Sequence, residues 1–228
     1  MKTVIVIPAY NEERVIGKIL DEIIKCQYHD VIVVDDGSGD KTAKIALETG
    51  ATVLQHMINR GQGAALKTGM TCALDEGADI IVTFDADGQH LVSDIENLVE
   101  PIKNGEVSVT LGSRFLNNSA INIPKFRKFI LNIAIVFTRV VSKMNITDTH
   151  NGLRAFSRDA LSKINMKQDR MSHASEILDE INYKKISYKE VPVTIMYSEY
   201  STTRPGENQS IFSFAKILFK YVLGRIMK

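Results

Sequence analysis

TVIVIPAYNEERVIGKILDEIIKCQYHDVIVVDDGSGD, residues 3–40, is the stretch on which the fold turns. Residues 3–7 form a short β-branched apolar run, and residues 30–34 form another. Between them, residues 12–25 place Val15, Ile16, Ile19, Leu20, Ile23 and Ile24 on one face of a helix. Strand, helix and strand in that order predict a right-handed βαβ unit with parallel strands. The alternation continues with a helix at 42–49 stopped by Gly50, and a strand at 52–55. A helix at 63–76 ended by Gly77 and a strand at 80–84 follow. The expected class is therefore α/β, a Rossmann-like, mainly parallel sheet flanked by helices. In such a sheet the ligand site lies at the carboxyl ends of the strands.

The second half is less regular. Residues 108–111 read as a strand leading into GSRF, and 125–144 as a long amphipathic helix. A strand at 153–156, a helix at 172–181 and one or two strands at 187–197 follow, with Pro192 marking an edge or bulge. Residues 200–210 are polar and contain Gly and Pro, the composition of a loop. No repeat or linker interrupts the chain, so a single domain is expected over 1–210, followed by a terminal amphipathic helix at 211–228.

The composition narrows the function classes. The 228 residues carry 28 Lys and Arg against 27 Asp and Glu, a net charge of +1, with 44% hydrophobic residues. Such a chain is globular, and its charge argues against a general nucleic-acid binder. Cys26 and Cys72 fit no metal-ligand or disulfide spacing, so a reducing cytoplasm is expected. The first apolar run stops at Pro8, too short for a secretory leader. Stretches such as 133–137 fall far short of the ~20 apolar residues that cross a bilayer. A soluble or peripheral protein follows.

Acidic residues come after three of the predicted strands: Glu12, then Asp35 and Asp36, then Asp85 and Asp87. A parallel sheet gathers them at one rim, where their repulsion calls for a cation or hydrogen-bond donors. The sharpest string is Asp85-Ala86-Asp87-Gly88-Gln89. Two carboxylates at i and i+2 can converge on one hard cation, Mg²⁺ or Mn²⁺, with a bound diphosphate completing the shell. An isolated string of this kind is most often a plain acidic turn, but its place after IIVTF and beside the other acids favours the metal. Asn59-Arg60-Gly61-Gln62-Gly63 opens a helix and offers N–H groups either to an anion or simply to the turn. Leu66 stands where a P-loop or a dinucleotide fingerprint needs glycine.

IPAYNE (7–12), VVDDGSGDKT (33–42), NRGQGAALKTG (59–69), DADGQH (85–90), GSRF (112–115) and NGLRAF (151–156) together resemble glycosyltransferase family 2. They are most similar to its dolichyl- or polyprenyl-phosphate mannosyl- and glucosyltransferase branch. The resemblance implies a GT-A fold and inverting transfer of a sugar from a UDP- or GDP-sugar. It implies that Pro8, Tyr10, Glu12, Asp35, Asp36 and Ala86 line the nucleotide-sugar pocket. It gives Asp85, Asp87 and Gln89 the divalent metal and donor diphosphate, and Arg114 the reacting phosphate groups. It places Arg127 on the acceptor phosphate, Arg204 of a flexible acceptor loop on the diphosphate, and Glu176 near the sugar. That loop departs from the branch, with two extra residues before Ser210 and Ile211 where Lys is expected.

The acceptor follows from the chemistry. A lipid phosphate is already an anion and needs positioning more than a base. A hydroxyl of a cell-surface glycan needs a carboxylate base, for which Asp148 is the candidate, with a helix-capping or arginine-pairing role as its other reading. Loss of activity in Asp148→Asn would then favour the hydroxyl. His90 follows the metal string as either a sugar or diphosphate contact or a turn residue, and His150 lies beside Asp148 near the expected acceptor, while His29, His56 and His173 carry no expected role. A non-catalytic, membrane-associated nucleotide-binding scaffold is the expectation from another class. At 211–228, Ser213, Lys216, Lys220, Gly224 and Lys228 share one face opposite an aromatic-rich apolar face. That pattern suits a helix lying on anionic lipid at the cytoplasmic membrane face, or one packed on the domain or on a second copy. The length is expected to cover a catalytic domain without the transmembrane tail of some relatives.

Overall fold

β1 (Thr3–Ala9), β2 (Val31–Asp35) and β4 (Ile80–Thr83) are buried along nearly their whole length, so they read as continuous apolar runs. The computed structural model describes residues 1–116, 120–121, 144–149 and 151–196. Side chains of the central strands alternate between two cores. Ile5, Ile7, Val31, Val33, Ile80 and Val82 face α1 (Ile16–Lys25) and α4 (Asp94–Lys103). Val4, Val6, Ile32, Val34 and Ile81 face α3 (Gln62–Asp75) and α6 (His173–Tyr183). Close approach is built into α3: a Cβ at Gly69 would lie 2.4 Å from Val6 Cγ1. The remaining helices among the described residues are α2 (Thr42–Glu48) and α5 (Arg158–Lys163).

With β3 (Thr52–Gln55), β5 (Val109–Ser113), β7 (Arg154–Ser157) and β8 (Tyr188–Pro192), the sheet has seven strands in the order β3-β2-β1-β4-β7-β5-β8. β6 (Ala120–Ile121) and β9 (Ile195–Met196) form a small parallel pair beside it. The expected mainly parallel sheet is present, with one inversion: β7 runs antiparallel to both β4 and β5. The other pairings in the sheet are parallel. The carboxyl ends of β1, β2, β4, β5 and β8 therefore share one rim with the amino end of β7. Every motif singled out above in the described residues arrives at that rim.

α1 begins at Ile16, later than expected, because residues 12–15 form the turn that leads into it. α4 and α5 were not expected. Ile95, Leu98, Val99 and Ile102 have helical spacing, but Pro101 inside the segment reads as a breaker. α5 spans only six residues and is capped by the Ser157 hydroxyl, which accepts from the Ala160 N–H. Pro192 ends β8, in line with the expected edge. The predicted helix at 125–144 lies outside the described residues except for Met144, and the predicted loop at 200–210 and helix at 211–228 lie wholly outside them. Residues Met1–Met196 form one compact unit. Among the described residues no helix is long and apolar enough to cross a membrane.

Candidate active site

At the β1 and β2 ends, Pro8 is buried, Tyr10 is 45% exposed, and Glu12 is buried. Between the last two, Asn11 adopts φ 55°, a conformation Asn tolerates better than most residues. Its N–H donates to Ser38 Oγ, and its side-chain oxygen accepts from Gly39 N–H, each at 2.9 Å. The Glu12 N–H donates to Thr42 Oγ1 at 2.7 Å. The PAYNE turn is thus stapled to DDGSGD and to the first residue of α2 by polar contacts some 30 residues apart in sequence. Asp35 accepts from Ser38 N–H and from the Gln55 amide, both at 3.3 Å.

Asp36 is buried and turned inward. Its carboxylate accepts from Arg60 N–H at 3.0 Å and Gly61 N–H at 2.7 Å, and meets His56 Nδ1 at 2.7 Å. His56 Nε2 reaches Thr68 Oγ1 at 3.0 Å. The N–H groups at the start of the NRGQG turn therefore meet an anion that the chain itself supplies, where the sequence left open a bound anion or a plain helix entry.

In the DADGQH string, Asp85 Oδ1 accepts from the Gln62 amide at 2.8 Å, and Oδ2 faces His90 Nε2 at 3.2 Å. Asp85 keeps 22% of its side chain exposed. Ala86 is buried beneath the turn, and Asp87 Oδ1 accepts from Gln89 N–H at 2.9 Å. His90 is buried with its ring tilted against Phe84.

On the other side of the rim, β5 delivers Arg114, whose backbone N–H and Nε both donate to Asp148 Oδ2, at 3.1 and 2.6 Å. Both side chains are buried, and Asp148 Oδ1 is a buried oxygen with no hydrogen-bond partner among the described residues. The turn carrying Asp148 is gripped in turn by Glu190 of β8. Its carboxylate accepts from Thr147 N–H at 2.8 Å and Asp148 N–H at 3.1 Å. Of the two readings of Asp148, the geometry displays the arginine pair. Arg154 at the head of β7 is buried and donates to the carbonyl oxygens of Asn151, Thr149 and Ala174.

The family described as Glycosyl transferase family 2 matches residues 4–165. The chain belongs to glycosyltransferase family 2. This sets aside the scaffold reading: the protein is a glycosyltransferase. Over 225 residues it is 40% identical to an uncharacterized protein of Methanocaldococcus jannaschii, covering 97% of this chain and 91% of that one. Over 244 residues it is 34% identical to the UDP-N-acetylglucosamine–dolichyl-phosphate N-acetylglucosaminyltransferase of Methanococcus voltae, covering 98% and 97%. The fold matches that of glucosyl-3-phosphoglycerate synthase from Mycobacterium tuberculosis, solved with Mn²⁺, UDP and phosphoglyceric acid. The TM-score is 0.75 at 19% identity, over 98% of this chain and 78% of that one. The architecture is thus the GT-A fold.

The transferase's site is balanced by buried charge. Burial alone raises the Asp85 carboxyl, but the hydrogen bond and charge of His90, with His173 and Arg154 nearby, outweigh it and hold the group below the usual range. Burial lowers Arg154 to about 10, opposed by Asp85 and Asp148. Burial also lowers His173, whose Nδ1 faces the Arg170 carbonyl at 2.9 Å. His56, His173, Asn11, Gln62 and Glu190 had no role in the sequence reading. Except for His173, whose ring meets Arg170, their partners lie far off along the chain, and only Asn11 and Gln62, inside the IPAYNE and NRGQGAALKTG motifs, carried a local signal. Glu176, expected near the sugar, accepts from the N–H groups of Lys167 and Gln168 and so braces a loop. Arg127, Arg204 and His150 lie outside the described residues.

Proposed function

We propose that this transferase moves a sugar, with inversion, from a nucleoside-diphosphate sugar to a polyprenyl or dolichyl phosphate. The observation that carries this is Arg114, a buried guanidinium held by Asp148 at the same rim as Asp85 and Asp87. An acceptor phosphate oxygen attacks the anomeric carbon. The bond from that carbon to the diphosphate breaks, and its electron pair leaves on the nucleoside diphosphate. Arg114 faces the phosphate groups on which charge gathers, and its fixed orientation avoids reorganisation during the step. Asp148 serves as its holder. A carboxylate paired to a guanidinium is a poor base, which argues against a hydroxyl acceptor. Loss of activity in Asp148→Asn is then expected with either acceptor, so that variant does not separate them. The Methanococcus voltae relative supports a UDP-sugar donor and a dolichyl-phosphate acceptor.

On the donor side, Pro8, Tyr10, Glu12, Asp35 and Ala86 are the nucleotide-sugar contacts, with Asp36 bracing the turn beside them. Asp85, Asp87 and Gln89 fit a Mg²⁺ or Mn²⁺ ion, because they offer hard oxygen donors on one turn. Among the described residues no group of three or more His, Cys, Asp or Glu side chains could hold the ion alone, and in this reading a bound diphosphate completes the shell. When bound, the cation supplies electrostatic stabilisation of the leaving diphosphate. Arg127 and Arg204 complete the acceptor and diphosphate contacts in this reading. Peripheral attachment at the cytoplasmic membrane face through 211–228 belongs to the same proposal, and a second copy packing there remains its alternative.

The test is nucleoside diphosphate release from UDP-glucose, UDP-N-acetylglucosamine and GDP-mannose, with Mn²⁺ and a polyprenyl phosphate in detergent. Release that requires the lipid phosphate is the expected result. No release with any donor would overturn the assignment. Asp87→Ala should lose turnover by about 10²-fold or more, by analogy with losing one charge-stabilising group, while the thermal midpoint moves little. Wild-type turnover in that variant would remove Asp87 from the site.

A further inference from the structure

Gln62 is the third contact that the NRGQG turn makes with an acid. Two of its backbone N–H groups, on Arg60 and Gly61, go to Asp36, and the Gln62 amide goes to Asp85. His56, itself held by Thr68, braces Asp36. One short turn thus touches an acid on the nucleotide side of the rim and an acid on the diphosphate side. The Gln62 contact is specific in kind. An amide N–H orients a carboxylate without cancelling its charge, whereas a Lys or Arg there would pair with Asp85 and compete with a cation. His90 holds the other oxygen of Asp85, and Gly152 packs against it so closely that a Cβ there would lie 2.0 Å from Oδ2. Asp85 is therefore confined on three sides while part of its side chain stays open to solvent.

We propose that Gln62 is a positioning residue that sets the orientation of Asp85 for the divalent cation. It makes the turn at 59–62 the rigid link between Asp36 and Asp85. This rests on the metal reading above. Groups that orient a metal ligand typically change metal affinity by about 10–100-fold when removed. A purely structural role would instead move the thermal midpoint and leave metal affinity alone.

The experiment compares wild type with Gln62→Met, which keeps the shape and loses the donor, and Gln62→Ala. Mn²⁺ uptake is read by the loss of the free-ion resonance signal at saturating UDP or GDP. Nucleotide binding is read separately in EDTA, and folding by thermal melting. The expected result is at least 10-fold weaker Mn²⁺ binding in both variants, consistent with that range. Nucleotide affinity in EDTA should stay within about twofold of wild type, since the other contacts of the turn are intact. Equal Mn²⁺ affinity in wild type and variants would overturn the positioning role alone. Absence of Mn²⁺ uptake by wild type with either nucleotide would overturn the metal reading and this inference with it.

Discussion

Gly152 shows how narrow the tolerance is at the residue scale. A methyl group there would meet the Asp85 carboxylate, not the backbone of a neighbouring element. The strain falls on a side chain that yields only by giving up its contacts with Gln62 and His90, so Gly152→Ala should fold with a modestly lowered melting midpoint. On the proposed function the displaced carboxylate would no longer meet the donor diphosphate and its cation, and a misplacement of about 1 Å can cost about 10²-fold in rate. A melting curve and a turnover assay on the same sample separate the two effects. A large loss of stability with residual activity unchanged would contradict this account of Gly152.

Among the elements, β7 has the largest consequence for the site. Had it run parallel to β4, Ser157 would stand at the rim and Asn151 to Arg154 at the far edge. Its reversed direction pairs Arg154 with Thr83 and brings NGLR beside DADGQH. Arg154 then joins three segments, because its side chain reaches the carbonyls of Thr149 and Asn151 and that of Ala174 at the start of α6. Arg154→Met should destabilise the fold by about 3–5 kcal/mol, since it strips donors from buried carbonyls and leaves nearby carboxylates without their buried counter-charge. Urea unfolding midpoints measure this, and a change below about 1 kcal/mol would show the network to be dispensable. The antiparallel turn was not legible in the sequence. RAFS reads as a strand in either direction, and the partner that sets its direction lies about 70 residues away.

For the whole molecule, the buried histidine couples stability to pH. His173 has its folded pKa lowered from 6.5, chiefly by burial and further by Arg154, against the pull of the Arg170 carbonyl and Asp85. The unfolded chain therefore binds the proton first. The contribution is complete above pH 6.5 and is lost as pH falls below it, with a slope of at most about 1.4 kcal/mol per pH unit. Asp94 and Glu190 act with the opposite sign, since burial raises both, and their windows open at the ordinary values of 3.8 and 4.5. Unfolding midpoints between pH 8 and 5, in chelator and without nucleotide, should fall on acidification in wild type and less steeply in His173→Gln. Parallel slopes would show that His173 does not titrate in this range.

The sequence by itself determined most of the elements of the first half, the class of sheet and the acid strings on its rim. Apolar periodicity and turn residues act over a few positions, so they survive without the fold. The strands at 3–7 and 52–55, the helix at 62–75 and the DADGQH turn were readable on that ground. Tertiary structure alone decided which partner each polar group took. The pairs His56 with Asp36, Gln62 with Asp85, Arg114 with Asp148 and Glu190 with Thr147 are separated by 20 to 43 residues. Each such hydrogen bond depends on where two strand ends come to rest, and hydrophobic burial sets that position before the polar contact can form.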